Sequence, residues 1–170
     1  ALTISPNAIT LAATNTHTFS ATGGSGSYSY SIASGSGSVN ATTGVYTAPG
    51  AAGTDVVRVV DGSGKYADAI VTVVAALQIS PASQSVVLSG TIAFSATGGV
   101  TPLVYSIHTG VGSVNSSTGL YTAPASSGSA TVRVTDAIGN FSDATVTVTN
   151  ALTISPSSFT LAVNNTKTFT

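Results

Sequence analysis

The chain has 170 residues and a formal net charge of −1, and only 5% of its residues are Asp, Glu, Lys or Arg, where ordinary soluble domains carry about 25%. Four Lys and Arg are too few to neutralise a phosphate backbone, which excludes nucleic acid as a partner. There is no cysteine and hence no disulfide framework, and no stretch approaches the roughly 20 apolar residues of a membrane helix, which argues against membrane insertion of this segment.

Taken in chain order, apolar and polar residues alternate in short runs, and no segment keeps a helical period. Leu2 and Ile4 precede Pro6, which suits an edge strand because proline cannot donate to a ladder. Ile9 and Leu11 continue the strand beyond that kink. His17, Phe19 and Ala21 share a face and end at Gly23-Gly24. Tyr28, Tyr30 and Ile32 form the next strand, followed by the Ser-Gly run at 34–38. Val39 opens a short strand, Thr43-Gly44 turns into Val45-Tyr46-Thr47, and 49–53 is loop. Val57 and Val59 face inward on one strand, and Ala69, Val71 and Val73 on the last. About seven short strands at turn-marked spacing predict an antiparallel sandwich. Alternation places Leu2, Ile4, Leu11, Phe19, Tyr30, Ile32, Val39, Tyr46, Val57, Val59, Val71 and Val73 in its core.

At Ala76 the pattern starts again. Set against itself at an offset of 75, the chain matches without a gap from Ala1 to Asn150, with about half the positions identical. GSVNATTGVYTAP at 37–49 returns as GSVNSSTGLYTAP at 112–124, and ALTISP appears a third time at Ala151. The expected organisation is therefore one domain at 1–75, a second at 76–150, and the first strands of a third, incomplete repeat at 151–170, including Phe159, Leu161 and Phe169. A chain that opens and stops in register with its repeat, without an initiator methionine, reads as a slice of a longer polypeptide.

The order L-x-I-S-P, F-x-A-x-G-G, Y-S-I, T-G-x-Y-T-A-P, V-x-V-x-D-x-x-G resembles the bacterial immunoglobulin-like repeats of group 2 and related kinds, over both full repeats and the stub. The resemblance implies an all-β fold of tandem, disulfide-free, Greek-key immunoglobulin-like sandwiches. It also implies an extracellular or cell-surface place on adhesins, secreted proteins or fibres, as stalk or spacer and sometimes as binder. The family carries no catalytic residues, so none is transferred.

The charges concentrate in one hairpin per repeat. If Asp61 and Lys65 flank a three-residue turn, Arg58 and Asp68 lie directly opposite each other on the solvent face; Arg133, Asp136 and Asp143 repeat three of these four. Arg58 with Asp68, and Arg133 with Asp143, are expected as cross-strand ion pairs worth at most about 1 kcal/mol, while Asp61 and Asp136 cap the turn through their own backbone. Calcium wants six to eight oxygen ligands, and two well-spaced Asp per repeat are too few. His17 and His108 occupy unrelated repeat positions, there is no Glu or Cys, and no nucleophile elbow follows a strand, so neither metal, cofactor nor enzymatic chemistry is expected. Tyr28 and Tyr66 offer a sugar-stacking platform in the first copy only. Asn40 and Asn115 share one repeat position in a loop and begin glycosylation sequons. The function expected is a structural repeat module of a long extracellular bacterial fibre or adhesin stalk, self-associating into a filament. The alternative is a module that binds a ligand or glycan on a host surface. The expected partner is self, lateral or end-to-end, since uncharged Ser/Thr-rich surfaces repel one another little.

Overall fold

A computed structural model of the chain describes residues 1–155 and 157–168 and shows an all-β fold. The first repeat runs β1 (Thr3–Ser5), β2 (Ala8–Ala12), β3 (Thr16–Thr18), β4 (Ser20–Thr22), β5 (Ser29–Ser34), β6 (Ser38–Val39), β7 (Val45–Thr47), β8 (Gly53–Val60) and β9 (Tyr66–Val74). The second runs β10 (Gln78–Ser80), β11 (Ser83–Val87), β12 (Thr91–Ala93), β13 (Ser95–Thr97), β14 (Val104–Gly110), β15 (Ser113–Val114), β16 (Leu120–Thr122), β17 (Gly128–Thr135) and β18 (Phe141–Thr149). Two breaks, at Pro6 and at Phe19, divide what the alternation reads as seven strands.

One layer of each sandwich is a four-stranded sheet, β2-β9-β8-β5 and β11-β18-β17-β14. The facing layer is made of β1-β4 and β3-β7-β6, and of β10-β13 and β12-β16-β15. Phe19 belongs to both parts of its layer: it separates β3 from β4, its N–H donates to the Gly44 carbonyl at 2.9 Å, and its ring is 1% exposed. Gly44 has φ +70 there, and a Cβ would strike that same Phe19 carbonyl. Only glycine closes this approach without strain.

The pairing differs from the sequence expectation in one respect. After Pro6 the chain does not resume the same strand but crosses to the opposite layer, where β2 pairs parallel to β9, Ala8 with Ile70 through Ala12 with Val74. β11 repeats this against β18. All other ladders are antiparallel. Periodicity reports which face a residue lies on and carries no information on strand direction.

Each sandwich has its own core, one around Phe19, Tyr46, Val57, Val59, Val71 and Val73, the other around Phe94, Tyr121, Val132, Val134, Val146 and Val148. Leu2, Leu11, Ile32 and Val39 line the first core half-buried. Ala69 is buried as the alternation reads it, and so is Ala144; Ala48 and Ala123, which the alternation passes over, are 4% exposed, because two layers about 10 Å apart leave room for a methyl group. Of residues 151–168, those described carry no strand, and Leu152 and Val163 are exposed. In the full repeats these segments pair with residues 20–22 and 70–74; 150 positions on, such partners fall at or beyond Thr170. Phe169 lies outside the described residues. No helix among the described residues is long and apolar enough to cross a membrane.

Candidate functional site

The outer face of each four-stranded sheet carries one Arg–Asp pair. Arg58 on β8 and Asp68 on β9 are register partners, and the guanidinium grips the carboxylate with two bonds, Nε to Oδ1 at 2.8 Å and Nη2 to Oδ2 at 2.7 Å. Arg133 and Asp143 do the same at the same distances. Each guanidinium also lies over an exposed aromatic ring two residues before the aspartate: Arg58 Cζ is 3.9 Å from the Tyr66 centroid and Arg133 Cζ is 3.7 Å from that of Phe141. The arginine hydrogen bonds hold Asp68 and Asp143 below the ordinary carboxylate range, against a smaller opposing effect of burial. The stack neutralises itself, so the face around it is uncharged. Across its strands run Ala8, Ile70 and Val56, then Thr10, Thr72 and Thr54; in the second copy, Ser83, Thr145 and Thr131, then Ser85, Thr147 and Ser129.

Asp61 and Asp136 do more than cap a turn. Asp61 Oδ1 accepts from the Ser63 hydroxyl and from the backbone N–H groups of Ser63 and Lys65, while Oδ2 accepts from the Ser25 N–H at 3.0 Å. The carboxylate thus ties the β8–β9 hairpin to the loop before β5. These donors, the Ser63 hydroxyl foremost, lower its pKa to about 2. Asp136 ties Val100, Ile138 and Asn140 in the same way; burial works against its ionisation, and the hydrogen bonds outweigh it, leaving the pKa below normal.

One carboxylate escaped the sequence reading. Asp55 is 3% exposed and accepts the Tyr46 hydroxyl at 2.6 Å, the Gly37 N–H at 2.7 Å and the Ser36 N–H at 3.1 Å. It lies on the same parity of β8 as Val57 and Val59, which is the signal that points it inward. Ala130 replaces it in the second repeat, where the Tyr121 hydroxyl donates instead to the Val111 carbonyl at 2.8 Å. Burial first, then the bond to Asp55 and its charge, hold the Tyr46 phenol far above its usual pKa.

The remaining candidates do not converge. Tyr28 is half-buried with its hydroxyl on the Gly23 carbonyl, and no ring contact joins it to Tyr66 among the described residues. His17 sits where the second repeat has Ile92, edge-on to Phe19, with its Nε2 buried and unpartnered. Among the described residues there is no group of three or more His, Cys, Asp or Glu able to hold a metal ion. Asn40 and Asn115 are exposed, and each side-chain oxygen accepts two backbone N–H groups of its own loop, at Thr42 and Thr43 and at Ser117 and Thr118.

The contacts at the joint between the repeats were not visible in the sequence. β9 ends at Val74 and β10 begins at Gln78, so three residues connect them. Gly99 donates to the Ala75 carbonyl at 2.9 Å, and the Ala76 carbonyl packs where a Cβ on Gly98 would stand. From the first repeat the β2–β3 turn, Ala12 to Asn15, meets Leu77 and the β17–β18 hairpin tip, where the Asn15 side-chain amide donates to the Asn140 side-chain oxygen, Oδ1, at 3.1 Å.

These layers, the two-part facing sheet and the cysteine-free core define an immunoglobulin-like β-sandwich. Neither a protein-family model nor a curated protein sequence matches the chain. Among solved structures, it is similar to the C-terminal 282-residue fragment of intimin in complex with the intimin-binding domain of the translocated intimin receptor: 16% identity over 69% of this chain, with a TM-score of 0.54. Mouse cadherin-23 EC22–24 is matched over 88% of the chain at 16% identity and a TM-score of 0.41. The chain spans 50% of the length of the intimin fragment and 64% of that of the cadherin fragment.

Proposed function

We propose that the chain is a structural repeat module of a long extracellular bacterial fibre or adhesin stalk, related to the group 2 immunoglobulin-like repeats, that associates with copies of itself laterally into a filament and performs no catalysis. The observation that carries this reading is the outer sheet face: Thr, Ser, Ala, Val and Ile around a self-neutralised Arg–Asp pair, recurring every 75 residues. Ile70, Tyr66 and Phe141 on these faces are 51%, 60% and 56% exposed. Covering them costs little desolvation, since hydroxyl groups and methyls replace the usual charges. The contact proposed is face to face; at one edge of each four-stranded sheet, β5 and β14 are interrupted by bulges at Ile32/Ser34 and Ile107/Thr109, which obstruct added strands there. A contact worth about 1 kcal/mol per repeat multiplies along parallel rods as avidity does.

Negative-stain microscopy and light scattering of the purified protein, beside Thr72→Lys and Thr147→Lys, test the proposal. Concentration-dependent bundles that the lysines disperse support it. A wild type that stays monomeric, with lysine variants indistinguishable from it, replaces the filament by a lone stalk.

A further inference from the structure

Four asparagines begin an N-x-S/T sequon, Asn40, Asn115, Asn140 and Asn164, and the structure separates them by what their amides touch. Asn40 and Asn115 follow β6 and β15, 75 residues apart, and close their loops with the same set of bonds. The backbone N–H of each donates across the loop, to the carbonyls of Val45 and Leu120 at 2.9 Å, and each carbonyl accepts from a buried glycine, Gly44 or Gly119, at 3.0 Å. Oδ1 is held by two backbone N–H groups, those of Thr42 and Thr43 in the first repeat and of Ser117 and Thr118 in the second. Among the described residues nothing accepts from either Nδ2, and Asn40, Thr42, Asn115 and Ser117 are all exposed. Asn140 is the opposite case. It is half-buried at the joint, its Nδ2 donates to Asp136 at 2.9 Å, and its Oδ1 accepts from Asn15 at 3.1 Å. Asn164 stands where the full repeats have Thr14 and Ser89, and does not recur.

We infer that Asn40 and Asn115 are attachment sites for an N-linked glycan, taken from a sugar whose anomeric carbon is activated by a diphosphate. In the transfer Nδ2 bonds to that carbon, and the bond from carbon to phosphate oxygen breaks. The diphosphate leaves with the electron pair, and one Nδ2 proton passes to a base of the transferase. The loop prepares its amide for this step. Two donors on Oδ1 polarise the carboxamide, which makes the Nδ2 protons more acidic. They also fix the side chain by its oxygen and leave the nitrogen to the enzyme. The hydroxyl residue two positions on completes the motif. An attached glycan is bulky and solubilising, and its place in the fold gives that bulk a use. The same loop bonds to the edge of the four-stranded sheet, where the N–H groups of Tyr30 and Tyr105 donate to the carbonyls of Ala41 and Ser116 at 2.9 Å. Sugars there stand beside β5 and β14, edge strands that carry no Asp, Glu, Lys or Arg to repel an added strand. The inference goes beyond the lateral contact and stands without it.

Mass spectrometry of the protein taken from the cells that make it is the test. Chymotrypsin, applied to the denatured chain, cuts after Tyr30, Tyr46, Tyr105 and Tyr121 and releases peptides 31–46 and 106–121, each with one sequon. Fragmentation by electron transfer keeps a sugar on the residue that bears it. The expected result is a sugar mass on Asn40 and on Asn115, and none on Asn140. A single sugar marks a nucleotide-sugar donor, and a whole oligosaccharide marks a lipid-linked one. Thr42→Ala, made in the same cells, loses the Asn40 glycan and keeps that of Asn115; Ser117→Ala does the reverse, and Thr42→Ser keeps both. These changes spare the loop, which uses the backbone N–H groups of Thr42 and Ser117 and not their hydroxyls, and an unchanged circular dichroism spectrum verifies that each variant is folded. Four results overturn the inference: both peptides bare in the native protein, sugars confined to Ser or Thr, an Asn40 glycan that survives Thr42→Ala, or Asn140 modified as fully as Asn40.

Discussion

Asp55→Ala converts the first repeat to the residue the second already has, and the cost follows from what loses its partner. The Tyr46 hydroxyl lies in a side chain with 0% exposure, and an orphaned buried donor costs about 1–3 kcal/mol. Ser36 is an exposed residue, so its N–H turns to water once released; Gly37 is half-buried. Two effects reduce the loss: a buried carboxylate no longer needs desolvating, and the Tyr121–Val111 bond shows that the equivalent tyrosine of the second repeat, without an aspartate, is satisfied by a loop carbonyl. The expected loss is therefore near the lower end, about 1.5 kcal/mol, which is roughly a tenfold rise in the population of the open state. Amide hydrogen exchange resolves the repeats separately. Val57 and Val59 exchange about tenfold faster in the variant, while Val132 and Val134 keep their wild-type rates. Exchange at Val57 and Val59 within about twofold of wild type, or equal acceleration in both repeats, refutes the account.

Tyr46→Phe leaves Asp55 two backbone donors and costs about 1 kcal/mol, and the double change with Asp55→Ala falls short of the sum, read by urea denaturation. Arg133→Ala removes an exposed ion pair and a ring contact and lowers the melting temperature slightly; the deficit shrinks in about 1 M salt, as thermal melts at two ionic strengths will register. Asp61 has a folded pKa of about 2 against an ordinary 3.8: its contribution is complete above the unfolded value, and is lost as pH falls from about 4 toward 2. Asp61→Asn flattens that acid limb in melts followed by circular dichroism between about pH 5 and 2. Small-angle scattering of proteins with two and four full repeats gives a maximum dimension growing by about 35–40 Å per repeat, since no Gly/Ser linker separates β9 from β10.

The Arg58–Asp68 pairing could be read from numbers alone, because a three-residue turn flanked by Asp61 and Lys65 sets every opposite pair in the hairpin. The tie from Asp61 to Ser25 could not: it joins segments 36 residues apart, and no periodicity reports on loops. Asp55 was legible in principle through its parity with Val57, but it is unrepeated, and attention to what recurs passes over it. The joint contacts were hidden for a different reason. Asn15 and Asn140 are 125 positions apart, and between the two full repeats they are exchanged for Gly90 and Lys65, so comparison of those repeats marks them as variable. The core valines and tyrosines were legible because alternation and burial coincide in strands covered on one side.

The parallel ladder between β2 and β9 sets how each sandwich bears tension. Pulled from its ends, a repeat feels force enter at the start of β2 and leave at the end of β9. The two strands run the same way, so they are dragged past each other along their length, and the five paired positions from Ala8/Ile70 to Ala12/Val74 are strained together. An antiparallel pair in that place would open like a zipper, one bond at a time. β1, held to β4 by three pairs on the other layer, detaches first and lengthens the chain slightly before the ladder is loaded. A string of such units therefore yields in small steps at low pull and resists as a block above it.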